Sequence, residues 1–136
     1  MNYYNEIKNE LINNEITKRV KDYSKNKSDL TTAYNVGKLL SEAGKHYGEN
    51  IIKEYSKRLT TELGKGYSQR NLRIMRQFYN VSQKWQTASA KLNWSHYCEI
   101  LWFDKNKHLY YIKIIEEQNL SVRQLRERIK NKEYER

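Results

Sequence analysis

Three groups of side chains in this 136-residue chain have the types that covalent or metal chemistry uses. Ser95, His96 and Cys98 are close in sequence, but helical residues one or two positions apart do not face each other and form no nucleophile–base pair. Ser95 reads as a helix cap and His96 as a partly buried hydrogen-bonding residue. His46, His96, His108 and Cys98 lack metal-ligand spacing, and His96-x-Cys98 alone is not a site. Glu6-Ile7-Lys8 falls in a predicted helix with no strand to build a nuclease metal site. No glycine-rich loop follows a strand, so no phosphate loop is expected. These patterns predict no catalytic residues, no metal and no cofactor on this chain.

Phosphate-directed chemistry is better represented. Between Glu62 and Glu99 there is no Asp or Glu, while the interval holds Lys65, Arg70, Arg73, Arg76, Lys84, Lys91 and His96. Uniform compositional drift would not readily leave such a gap. At about 100° per residue, with Arg70 as zero, Val81, Ile74, Phe78, Met75, Tyr79 and Leu72 fill an arc from roughly 20° to 200°. Arg76, Asn80, Arg73, Gln77 and Arg70 fill the opposite arc, and Asn71, at about 100°, falls inside the apolar one. Arg forks match phosphate oxygens or the guanine edge, and Asn and Gln match adenine edges. Gln69, Arg70 and Arg73 are expected near a DNA groove, with Lys65 and the amides around Ser68 on phosphates. The ordinary alternative is a solvated basic face on a helical hairpin. Near the C-terminus, Arg123, Arg126, Arg128 and Lys130 surround a Val122/Leu125/Ile129 stripe. Glu127, Glu133 and Glu135 dilute that charge, so a solvated face is expected there.

The elements that must position these groups are helical. The chain has no proline and five glycines, so little interrupts helices. Apolar residues recur at three- and four-residue spacing (Tyr4, Ile7, Leu11, Ile12, Ile16, Val20, Tyr23), which predicts a helix over about 3–24. After a polar break at 24–28, Ser28 or Asp29 caps a second helix that buries Leu30, Ala33, Tyr34, Gly37 and Leu40, has Leu39 at its flank and stops near Gly44. A third, about 49–63, buries Ile51, Ile52, Tyr55, Leu59 and Leu63 and ends in Gly64-Lys65-Gly66. Ser68 caps a fourth, about 69–82, and 83–93 reads as a loop. Ser95, with Trp94 as a hydrophobic staple, opens a fifth over about 95–103, and a sixth spans about 105–118. Asn119 closes the sixth, and Ser121-Val122-Arg123-Gln124 is a capping box for the last. The expected architecture is all-α, a single compact domain over 1–136 with six or seven helices and a helix-turn-helix-like unit at about 49–82.

Composition bounds the function classes. The net charge of +10 (26 basic against 16 acidic residues) points to a polyanionic partner. With 38% apolar residues and a mean hydropathy of −1.05, no stretch approaches the roughly 18 apolar residues of a membrane span. One cysteine excludes an intramolecular disulfide framework. Cytoplasmic residence, duplex DNA as partner and no membrane partner are the expectations. A competing reading is a protein-interaction module, either a dimerisation domain or a small mobile-element protein that blocks a host nucleic-acid-binding complex, with the basic face meeting an acidic protein. There Trp94, Tyr97, Trp102, Tyr110 and Tyr111 would form an exposed patch.

Three ordered stretches also carry a resemblance. Gly64-Lys65-Gly66-Tyr67-Ser68-Gln69-Arg70-Asn71-Leu72-Arg73-Ile74-Met75-Arg76-Gln77-Phe78-Tyr79, Leu92-Asn93-Trp94-Ser95-His96-Tyr97-Cys98-Glu99-Ile100-Leu101 and Leu120-Ser121-Val122-Arg123-Gln124-Leu125-Arg126-Glu127-Arg128-Ile129 resemble the N-terminal helical domain of the YhcG-type PDDEXK nuclease family. The likeness covers about residues 30–136. It implies a DNA-binding or assembly domain whose nuclease lies in a separate C-terminal domain, so nuclease activity is not carried over. By resemblance, Ser68, Arg70, Asn71, Arg73, Arg76 and Gln77 take the DNA-facing role. Trp94, Ser95, His96 and Tyr97 take an architectural or interface role. The chain lacks the family's proline after Phe78-Tyr79 and has Leu120 in place of a tryptophan.

Overall fold

The computed structural model describes residues 2–20, 25–85, 89 and 91–136. Among them are seven helices and no strand: α1 (Tyr3–Val20), α2 (Lys25–Tyr47), α3 (Ile51–Leu63), α4 (Gln69–Trp85), α5 (Trp94–Ile100), α6 (Lys105–Gln118) and α7 (Val122–Lys130). The all-α expectation holds. The chain divides into two compact units, Met1–Asn80 and Val81–Arg136.

In the first unit, α1 lays Tyr4, Ile7 and Leu11 into a core with Val36, Leu40 and Ala43 of α2, Ile52, Tyr55 and Leu59 of α3, and Leu72 of α4. The three-and-four spacing of α1 stops predicting burial at Ile16, which is 55% exposed. The predicted residues 21–24, Tyr23 among them, lie outside the described ones. Ser28 and Asp29 are interior to α2 rather than its caps, since no proline or glycine breaks the backbone there. The end of α2 is also later than expected. Gly44 is helical, and Gly48, at φ +88°, is the residue whose left-handed backbone stops the helix, its N–H donating to the Gly44 carbonyl. The buried face of α2 is Ala33, Val36, Gly37, Leu40 and Ala43, while Tyr34 lies at the rim, edge-on to Tyr79 of α4.

Gly37 is where α2 and α4 meet. A Cβ at position 37 would lie 2.2 Å from the Met75 carbonyl oxygen and 2.8 Å from Tyr79 Cβ. Mid-helix glycine is entropically unfavourable, and close backbone approach is the compensating gain here.

The second unit is built around Leu92, Tyr97, Ile100, Leu101, Tyr111, Ile115, Leu120 and Leu125. The cap of α5 is Asn93, not Ser95, and Trp94 is the first helical residue instead of a staple. Asn93 accepts from the His96 N–H at 3.0 Å, while the His96 ring Nδ1 accepts from the Asn93 N–H at 3.0 Å. A ring that accepts at Nδ1 carries its hydrogen on Nε2, which donates to the Leu120 carbonyl at 2.8 Å. His96 therefore ties the start of α5 to the α6–α7 turn. In that turn the expected elements appear: Asn119 is left-handed at φ 51°, and Ser121 and Gln124 form the capping box. The second buried histidine, His108, donates from Nδ1 to the Ile100 carbonyl at 2.9 Å, leaving Nε2 buried without a hydrogen-bond partner. Burial lowers its pKa below the ordinary 6.5.

Two predictions follow from the packing. Gly37→Ala should cost about 1–3 kcal/mol in urea unfolding, because the methyl meets backbone. Gly44→Ala, where a Cβ meets nothing within 4 Å, should add about 0.5–1 kcal/mol instead. The lowered pKa of His108 gives a pH signature: between about 6.5 and the lowered folded value the unfolded imidazole is protonated and the folded one is not. Its stabilising contribution is present above about 6.5 and lost as pH falls through the lowered folded pKa. Urea midpoints of wild type should decline over that acid window, and those of His108→Gln should decline less.

Candidate nucleic-acid interface

The presentation of α4 begins in the turn before it. Gly64 and Gly66 take φ of +100° and +109°, and the Gly64 N–H donates to the Thr60 carbonyl to end α3. Ser56 of α3 donates from its hydroxyl to the Tyr67 carbonyl at 2.7 Å. The Asn71 side-chain amide donates to the Gly66 carbonyl at 2.9 Å, and the Asn71 N–H donates to Ser68 Oγ at 3.1 Å. Ser68 is thus the cap that the sequence predicts. Asn71 corrects its helical-wheel angle: it is exposed, and its amide turns back to brace the glycine turn. Ser56, which spacing alone does not single out, is a polar interruption in the apolar stripe of α3 and holds the same turn from the other side.

Beyond that turn, the division of α4 into two arcs holds. Leu72, Ile74, Phe78 and Val81 are buried, and Arg70, Arg73 and Asn80 are exposed. The helix runs three residues past the expected end, to Trp85, whose ring packs on His108 with centroids 5.2 Å apart. Of the expected loop at 83–93, residues 86–88 and 90 lie outside the described ones.

The cations of this face are not equivalent. Lys65 and Arg70 are exposed and make no hydrogen bond or ion pair among the described residues. Arg73 is exposed and donates to the Gln69 side-chain carbonyl at 3.2 Å, one turn away. Arg76 is different. Its two terminal nitrogens donate to both carboxylate oxygens of Glu49, at 2.7 and 3.0 Å. Those hydrogen bonds hold the Glu49 carboxyl below the usual carboxylate range. Gln77 is half-buried and engaged within the protein.

The basic residues of α7 contrast with this. Arg126 donates from Nε to Glu99 at 2.6 Å, and Arg128 binds both oxygens of Glu133 at 3.1 Å and Gln118 at 2.7 Å. Of the acids that dilute this helix in sequence, Glu133 does so in space, while Glu135 pairs with Lys107 of α6 and the partner of Arg126 is Glu99 of α5.

The expected aromatic patch does not form as one exposed surface. Tyr97 and Tyr111 are buried, at 3% and 0% exposure, because both rings fill the core of the second unit. His96 is likewise buried and committed to the Asn93 cap. Trp94 and Tyr110 are half-buried, and Trp102 alone of the group is largely exposed, at 60%. The described residues hold no group of three His, Cys, Asp or Glu side chains able to hold a metal ion. None of their helices is long and apolar enough to cross a membrane.

Residues 6–136 match the DUF1016 N-terminal domain, across both units and all three motifs that carried the resemblance. The chain belongs to that family. Comparison with curated proteins and with solved structures returns no match. In this DUF1016 N-terminal domain, the matched region is the helical N-terminal part of the family.

Ser68→Ala should cost about 0.5–2 kcal/mol through loss of the cap, and Asn71→Ala about 0.5–1.5 kcal/mol through loss of its amide bond to Gly66. Chemical denaturation of both variants beside wild type checks the assignment. A change below measurement error in Asn71→Ala would remove it from the bracing of the turn.

Proposed function

We propose that this domain binds duplex DNA through the exposed arc of α4, with α3, the glycine turn and α4 acting as a helix-turn-helix-like unit. One observation carries the reading: Lys65, Arg70 and Arg73 stand exposed with no carboxylate bonded to them among the described residues, while Arg126 and Arg128 of α7 are each held by one. Exposed cations that the fold does not neutralise favour a polyanion, whose binding releases condensed counterions. The pinned turn supports the same reading, since phosphate contacts position a helix only if its N-terminus is itself fixed. Within its family such a module would serve as the targeting part of a nuclease or, standing alone, as a regulator.

The test is fluorescence anisotropy with a labelled random-sequence duplex over a salt series. Each phosphate contact contributes about −0.9 to the slope of log K against log salt. The Lys65→Ala/Arg70→Ala/Arg73→Ala variant should bind more weakly, with a slope flattened by up to about three such increments, and should melt like wild type. Absence of binding by folded wild type at low salt would overturn the proposal.

A further inference from the structure

We infer that Glu49 is an internal competitor for the DNA phosphate, occupying the guanidinium fork of Arg76 and leaving α4 with an open end and a latched end. The inference rests on the DNA reading above and concerns the regulation of that same surface. Arg76 lies on the basic arc of α4, yet both of its terminal nitrogens are taken by the two oxygens of one carboxylate. That two-point geometry is the one the fork offers to a phosphate. Glu49 therefore fills the acceptor positions that a backbone phosphate would fill.

Two features make the carboxylate displaceable rather than locked. Glu49 sits in the short turn between α2 and α3, one residue after left-handed Gly48. Its side chain is 66% exposed, so water competes for it and the pair is weakly held. The field of Arg73, another member of the same arc, also acts on this carboxylate and favours its charged form, so Glu49 opposes the positive field of two cations of the face. A DNA strand following α4 would meet Lys65, Arg70 and Arg73 first. It would then either displace Glu49 from Arg76 or lie against an uncompensated carboxylate. Either outcome lowers affinity relative to a face without Glu49, since displacement breaks the Glu49–Arg76 pair and without displacement a carboxylate stays beside the phosphates.

The same salt-series titration, with thermal melts alongside, tests this with Glu49→Gln, Arg76→Ala and the double variant. Glu49→Gln should bind the random duplex about three- to tenfold more tightly at about 0.1 M salt, with a slope steeper by about 0.9, one added phosphate contact. Arg76→Ala should cost the wild type less than it costs Glu49→Gln, and the double variant should lose the gain. If wild type binds and Glu49→Gln matches it in affinity and slope, the pair is only a staple between the turn and α4, and the inference fails. A gain that survives in the Arg76→Ala background would be a general field effect and also overturns it. Wild type that does not bind removes both this inference and the DNA reading. Should Glu49→Gln melt well below wild type, Glu49→Ala with a melt matched to wild type carries the same comparison.

Discussion

The approach of α2 to α4 at Gly37 is the constraint on which the rest of the first unit depends. Only the absence of a side chain there lets the Met75 carbonyl come so close. Once that crossing is fixed, Leu72 is drawn into the core formed by α1, α2 and α3, with Met75 packed against it. A helix has one free rotation about its axis, and burying this arc uses it. The opposite arc, with Arg70 and Arg73, then has nowhere to face but solvent. A sequence feature that looks like a weakness, glycine inside a helix, is thus what determines which charges are displayed.

Display also needs an anchored starting point, and the α3–α4 turn supplies it by local means. Two glycines take left-handed backbone, and the hydrogen bonds of Ser56, Asn71 and Ser68 satisfy the carbonyls and amide that such a turn exposes. Each of these bonds is individually modest, at about 1 kcal/mol. Together they fix the point from which α4 departs. Arg70 and Lys65, which flank this point, therefore have long flexible side chains on a backbone of restricted geometry. That combination suits recognition of phosphates spaced along a strand.

Much of this was legible in the sequence because it is written in short range. Ser68, Asn119 and the Ser121/Gln124 box are local signals, read within four residues, and all three appear in the fold. The third helix and the arcs of the fourth follow from apolar spacing alone. The misses share a cause: each depended on something the local pattern does not contain. Ser28 and Asp29 look like caps, but a cap is used only where the helix breaks, and nothing there forces a break. Ser95 lost the capping position to Asn93 because His96 completes a reciprocal bond with Asn93 and also reaches Leu120, 24 residues away. Tyr97 and Tyr111 could have been surface or core, and tertiary packing alone decided it.

The acid-free interval from Leu63 to Cys98 shows the same limit in the electrostatics. A gap in the sequence is not a gap in space, and Glu49, 27 positions before Arg76, enters the basic face from another element. The charge that matters for a polyanion is what remains after such intrusions. On α7, Glu99 and Glu133 each take an arginine, so two of the four cations there, Arg126 and Arg128, are compensated within the protein, while Arg123 and Lys130 are exposed. On α4 the one intrusion among the described residues is at Arg76, and Lys65 and Arg70 near the helix N-terminus have no carboxylate bonded to them there. Because backbone amides at a helix N-terminus add partial positive charge of their own, that end is where an approaching phosphate strand gains most. On the proposed DNA reading, the asymmetry within α4 would give the face a direction, with contact starting at the open end and Arg76 reached last.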